Sequence, residues 1–137
     1  MPSHRANHYG TICEQRAMDE YGLEPDRDSW RDAQHPNSFP VEIKSTAYEH
    51  ADGQPGNFKV YEAYHRKLRR HDGRYVFVVY TPTKRGLRVR RMKMIHSSQL
   101  PRLSWHGGGE HRETKQAKIG IEEVFCCTRR PLWTRPG

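Results

Sequence analysis

Two acidic residues and a lysine are spaced so that they can act together. Asp32 is followed, after nine residues, by Glu42-Ile43-Lys44. On an extended strand, residues two apart leave from the same face, so Glu42 and Lys44 point the same way. A turn after Asp32 brings the preceding strand back beside Glu42, and His35-Pro36-Asn37-Ser38 has the composition of such a turn. Asp32 then lies within a few ångströms of Glu42. Two carboxylates that close repel each other, and a hard divalent cation relieves the repulsion. Mg2+ (or Mn2+) suits the site, because it takes one or two carboxylates and keeps several waters. Asp32, Glu42 and the main-chain carbonyl of Ile43 are the expected ligands. A site of this kind suits phosphodiester hydrolysis, where the cation polarises a phosphoryl oxygen and neutralises the leaving oxygen. Lys44 would orient a water or stabilise charge on the phosphorus. Glu14 becomes a fourth member, and a less secure ligand, if its helix lies against these strands.

Each group also has a plainer role open to it. Asp32 is a common residue type at a turn, and Asp26 and Asp28 compete for its place. Glu42 and Lys44 could form an ion pair on a solvated sheet face, worth under about 1 kcal/mol. Glu14 could complete a capping box with Thr11. E-x-K alone is common. What raises it is the upstream carboxylate at a workable spacing, the preceding acidic helix and the basic chain around them.

The elements that must position these groups follow from hydrophobic spacing. A first helix is predicted from His4 or Asn7 to Tyr21, with Ala6, Tyr9, Cys13 and Ala17 on one stripe. Gly22 and Pro25 end it. A short strand around Ser29–Ala33 and a second over Phe39–Ser45 carry the acidic residues. Val41 and Ile43 take one face of the second strand, and Glu42 and Lys44 take the other. Residues 49–57 read as a loop. A second helix is predicted over Val60–His71, with Tyr61, Tyr64, His65 and Leu68 as its buried stripe. Tyr75-Val76-Phe77-Val78-Val79-Tyr80 is the most apolar run and reads as a central strand. A hairpin loop over Pro82–Gly86 follows, then a strand whose alternation slips at Arg90-Arg91, as a bulge would make it. Ser97–Leu100 suits a short helical turn. Residues 105–117 read as a Gly-rich loop, and Ile119, Ile121, Val124 and Phe125 as the last core positions. The order predicts an α/β fold, a mixed central β-sheet flanked by helices. One domain over residues 1–127 and a basic tail over 128–137, of disordered composition, are expected.

Charge indicates the partner. The 137 residues hold 24 Lys and Arg against 16 Asp and Glu, a net +8. Apolar residues are only 34% of the chain, so the core must be lean. Arg66, Lys67 and Arg70 fall in one basic block, Arg88 and Arg90 in another, and Lys115 and Lys118 near the Gly run. Such clusters suit a phosphate-tracking surface whose affinity falls steeply with salt. A merely soluble, charged surface is the plainer alternative. No apolar run approaches the roughly 20 residues that cross a bilayer. No apolar stretch follows the first residues, so a secretory signal is not expected. Cys13, Cys126 and Cys127 form no disulfide framework, which fits a reducing, cytoplasmic location. His4 and His8 lack a third zinc ligand nearby, and Gly107-Gly108-Gly109 lacks the Lys-Ser/Thr of a phosphate loop.

The segments Trp30-Arg31-Asp32-Ala33 and Pro40-Val41-Glu42-Ile43-Lys44-Ser45, with an acidic helix before them and a helix after, resemble the PD-(D/E)xK nuclease superfamily and its restriction-endonuclease-like core. Within it, the chain is most similar to small archaeal Holliday-junction-resolvase-like and archaeal viral nucleases. Gly56-Asn57-Phe58 and Gly73-Arg74-Tyr75-Val76-Phe77 add to the likeness. The resemblance implies a metal-dependent endonuclease acting on DNA, branched DNA included, and leaving a 5′-phosphate and a 3′-hydroxyl. Asp32 and Glu42 would be metal ligands, Lys44 the catalytic lysine, and Glu14 the acidic residue of the first helix. The Pro-Asp pair is absent, since Arg31 precedes Asp32. A domain this small covers little DNA, so a homodimer with two sites is expected. The superfamily includes inactive members, and a non-catalytic nucleic-acid-binding protein is the alternative.

Overall fold

The computed structural model describes residues 4–28, 30–36, 39–107 and 114–125. Asn37 and Ser38 of the expected turn, most of the Gly107-Gly108-Gly109 run, Cys126-Cys127 and the tail 128–137 lie outside them. The chain runs α1 (His4–Tyr21), β1 (Glu24–Asp28), β2 (Arg31–Gln34), β3 (Pro40–Ala47), β4 (Asn57–Tyr61), α2 (Glu62–Arg70), β5 (Arg74–Thr83), β6 (Gly86–His96), β7 (Gln116–Gly120) and α3 (Ile121–Phe125). A short 3-10 turn over Ser97–Gln99 follows β6.

Gly22 ends α1 in the left-handed region, at φ 65°. The Leu23 N–H then bonds back to the Met18 carbonyl at 2.9 Å, the closure a glycine at this position permits. Five strands form one sheet in the order β1-β2-β3-β5-β6, with β3 and β5 parallel and the other neighbours antiparallel. The parallel pair requires a crossover, which β4 and α2 supply. β4 pairs with β7 in a separate two-stranded ribbon. This is the mixed α/β arrangement the residue pattern predicts.

The sheet buries both faces. Val41, Ile43, Val76, Val78 and Tyr80 lie against Cys13 and Ala17 of α1. On the other face, Tyr75, Phe77 and Val79 meet Phe58 and Val60 of β4, Leu68 of α2, Ile119 of β7, and α3. In the parallel register Glu42 is opposite Tyr75, and Lys44 is opposite Phe77. Paired residues share a face, so Glu42 and Lys44 project on the side of the sheet covered by β4, α2 and β7.

Several expectations shift in detail. The helix predicted from Val60 begins at Glu62, because Val60 and Tyr61 close β4, where Phe58 and Val60 alternate into the core. Gln116 and Ala117 belong to β7, not to a loop. β1 carries no apolar side chain except Pro25, so periodicity gives no sign of it; it forms the sheet edge, where proline is tolerated. The slip in β6 is a bulge at Arg90, since Val79 pairs with Arg91 and Tyr80 with Val89.

Gly56 shows how closely the crossover meets the sheet. It is buried, its N–H bonds to the Tyr48 carbonyl at 3.1 Å, and a Cβ there would overlap the Ala47 carbonyl oxygen and Thr46 Oγ1. Backbone atoms cannot rotate aside, so Gly56→Ala should cost about 1–3 kcal/mol of stability by chemical denaturation. An unchanged midpoint would show that the loop has room to move.

Candidate active site

β2 and β3 pair through Gln34–Pro40 and Ala33–Val41, and their register ends there. β2 itself continues to Arg31, so the two strands part where Asp32 would face Glu42. The Asp32 side chain fills the gap: its Oδ2 accepts the Ile43 N–H at 2.8 Å. A strand residue presents its N–H and C=O on the same edge, so the Ile43 carbonyl looks into the same opening.

Glu42 and Lys44 stand side by side on β3. Lys44 Nζ is 3.2 Å from Glu42 Oε2, and their side chains are only 17% and 12% exposed. Tyr61, at the end of β4, offers its ring to the Lys44 ammonium at 5.3 Å from the centroid. Burial pushes the Glu42 carboxyl up to about 8; Lys44 opposes this and Asp32 adds to it. Burial is the larger cause, and the smaller contribution of Asp32 shows that the two carboxylates are close.

Glu14 reaches the same place from α1. Its Oε1 accepts from Arg27 Nη2 at 2.6 Å, and Arg27 Nη1 lies 3.9 Å from Asp32 Oδ1. Burial raises the Glu14 carboxyl, Arg27 lowers it, and Asp32 raises it. The parting of β2 from β3 therefore gathers Glu14, Asp32, Glu42 and Lys44, with Arg27 among the acids. Arg27 escaped sequence reasoning because β1 shows no periodic signal. Of the rival acids, Asp26 is engaged by Arg31 at 3.1 Å.

The donor set is one a hard cation can use. It consists of carboxylate and carbonyl oxygens, and two of the acids repel each other. Among the described residues, no three His, Cys, Asp or Glu side chains gather closely enough to cage an ion by themselves. Two carboxylates and a carbonyl fit an ion that keeps much of its own water, as Mg2+ and Mn2+ do, rather than a zinc cage.

Behind Glu42 is a buried aromatic pair. Tyr75 is the sheet partner of Glu42, and its hydroxyl is 2.8 Å from His65 Nδ1 on α2. Burial, with the Glu42 charge adding to it, raises the Tyr75 phenol. Burial, assisted by Arg69 and Arg66, lowers His65 to about 4 from 6.5. The folded protein thus binds fewer protons at His65 than the unfolded chain between these values. The stability from a neutral His65 is complete above about pH 6.5 and is lost as pH falls through about 4. The His65 contribution should fall by about 1–3 kcal/mol over that interval, read as the difference between the wild type and His65→Gln, because the raised Glu42 carboxyl contributes in the opposite sense. Identical acid profiles for the two proteins would remove His65 as the cause.

The basic residues fall in separate places. Arg66, Lys67 and Arg70 are exposed on α2, and Lys115 and Lys118 are exposed at β7, on the side of the sheet that carries Glu42. Lys118 lies opposite Lys59 in the β4–β7 ribbon, an unfavourable pairing of like charges that an anion would relieve. Arg88 and Arg90 are on β6, at the far edge of the sheet, where Arg90 stacks on Tyr48 at 4.1 Å. The His4 side chain lies outside the described residues. No helix among the described residues is long and apolar enough to cross a membrane.

A mixed sheet flanked by helices, with acids and a lysine meeting where two strands part, defines a restriction-endonuclease-like fold. Compared with known families, residues 1–126 match the PD-(D/E)XK nuclease superfamily domain. The chain belongs to that superfamily, and a nucleic-acid substrate goes with it. No curated protein and no solved structure gives a significant match.

Proposed function

We propose that residues 1–127 form a Mg2+- (or Mn2+-) dependent DNA endonuclease, working as a homodimer and directed to branched DNA. The observation that carries the reading is the convergence of Asp32, Glu42 and Lys44 at the opening between β2 and β3. Asp32, Glu42 and the Ile43 carbonyl would hold the cation, with Glu14 at its margin. When bound, such an ion polarises a phosphoryl oxygen and offsets charge on the leaving oxygen. The protein's own part is positional. Ile43 N–H fixes one Asp32 oxygen, leaving the other for the ion. Glu42 and Tyr61 confine the Lys44 ammonium, which can hydrogen-bond an attacking water or a non-bridging phosphate oxygen. Cations on α2 and β7, on the side of the sheet that carries the lysine, suit a polyanion crossing the site.

Branched DNA as the substrate form and a 5′-phosphate as the product end are part of this proposal and rest on the sequence resemblance to archaeal junction resolvases and viral nucleases alone. The test is nicking of supercoiled plasmid with Mg2+ or Mn2+. Cleavage should require the ion and stop in EDTA, while DNA binding persists. Binding without cleavage in either ion would make the chain a non-catalytic nucleic-acid-binding member; cleavage of RNA alone would reassign the substrate.

A further inference from the structure

A groove of about 400 Å3 is lined by His65, Arg66, Arg69, Arg70 and Trp105. Its rim is cationic. Arg66 pairs with Glu62 at 2.8 Å, but neither Arg69 nor Arg70 makes an ion pair among the described residues. Arg66 and Arg70 are four apart on α2, and Arg66 and Arg69 three apart, spacings at which like charges repel. A bound anion removes that repulsion.

The other walls of the groove are the flat rings of Trp105 and His65. The half-buried Trp105 ring is 6.0 Å from the ring of His65, which is buried and held neutral. Guanidiniums beside an indole match the two halves of a nucleotide, phosphate and base face. A base inside a duplex is already stacked on its neighbours and cannot offer that face. A buried contact links the groove to the acidic site: His65 bonds to Tyr75, and Tyr75 is the sheet neighbour of Glu42.

We propose that this groove holds one unpaired nucleotide of the substrate strand, its phosphate on Arg69 and Arg70 and its base on Trp105. The inference rests on the nuclease reading of the Asp32, Glu42 and Lys44 site and narrows its substrate to DNA with an unpaired segment, as branches and overhangs have.

The test measures binding in EDTA by fluorescence anisotropy, using labelled oligothymidylate and a duplex of equal length. The proteins are the wild type, Trp105→Phe, Trp105→Leu, and Arg69→Ala with Arg70→Ala. Trp105 touches the core, so Leu retains apolar bulk without a stacking face, and thermal unfolding checks each protein. Trp105→Leu should weaken oligothymidylate binding about 5- to 100-fold, with duplex binding unchanged and Trp105→Phe close to wild type. The double arginine variant should weaken binding of both DNAs. Wild-type oligothymidylate affinity in Trp105→Leu, or an equal loss for the duplex, would overturn the proposal. Because no cleavage is measured, failure here is distinct from failure of the nuclease reading, which would appear as intact plasmid with either ion.

Discussion

Lys44→Ala should lower Mg2+-dependent cleavage of supercoiled DNA about 100- to 1,000-fold while leaving DNA binding in EDTA unchanged. The ammonium is held in one place by Glu42 at 3.2 Å and by the Tyr61 ring. A preorganised cation in a site shielded from water acts on developing charge without first reorganising, which is why removing it affects rate more than affinity. Lys44→Arg should rescue little, because the planar fork does not fit the space of a compact ammonium. Glu42→Gln should go further and abolish cleavage, since it replaces a carboxylate ligand by a neutral amide of the same shape. Circular dichroism and thermal unfolding check that each variant is folded, because Lys44→Ala removes a side chain that is only 17% exposed. Cleavage at the wild-type rate by either variant would place the chemistry elsewhere.

Asp32 should separate two roles that one carboxylate performs. Asp32→Ala removes a charge from the acidic site and leaves the Ile43 N–H, bonded at 2.8 Å, without its partner. An orphaned donor in a partly buried strand costs about 1–3 kcal/mol, so this variant should lose both cleavage and stability. Asp32→Asn keeps an oxygen to accept that N–H and drops the charge. It should therefore recover the stability but not the cleavage. If Asn and Ala variants are equally stable, the hydrogen bond contributes nothing; if Asn retains full cleavage, Asp32 is not needed for the chemistry.

Much of the site was legible because its chemistry is local. Glu42 and Lys44 are two residues apart on a strand whose other face, Val41 and Ile43, is apolar, so alternation alone gives their common direction. Tyr75–Tyr80 announces itself as a central strand by being buried on both faces. What stayed hidden depends on pairing rather than pattern. β1 reads EPDRD, and nothing in it alternates; it is a strand because β2 offers it an edge. Arg27 comes with β1 and so was invisible as the link between Glu14 and Asp32. β4 was missed as a strand because it is short, and Val60 and Tyr61 satisfy the helical spacing of Tyr64, His65 and Leu68 as well as the alternation set by Phe58. Asp32 was read from its spacing to Glu42 despite the missing proline, and the splitting of β2 from β3 shows what stands there: an acceptor for Ile43 N–H and a carboxylate beside Glu42.

The central claim is that the acids at the split exist to hold a divalent ion. Titration of Mn2+ followed by its electron paramagnetic resonance signal tests it without requiring turnover. The wild type should bind the ion saturably and lose the free Mn2+ signal in proportion, and a protein carrying both Asp32→Asn and Glu42→Gln should leave the signal as it is in buffer. Equal Mn2+ binding by the two proteins would contradict the account.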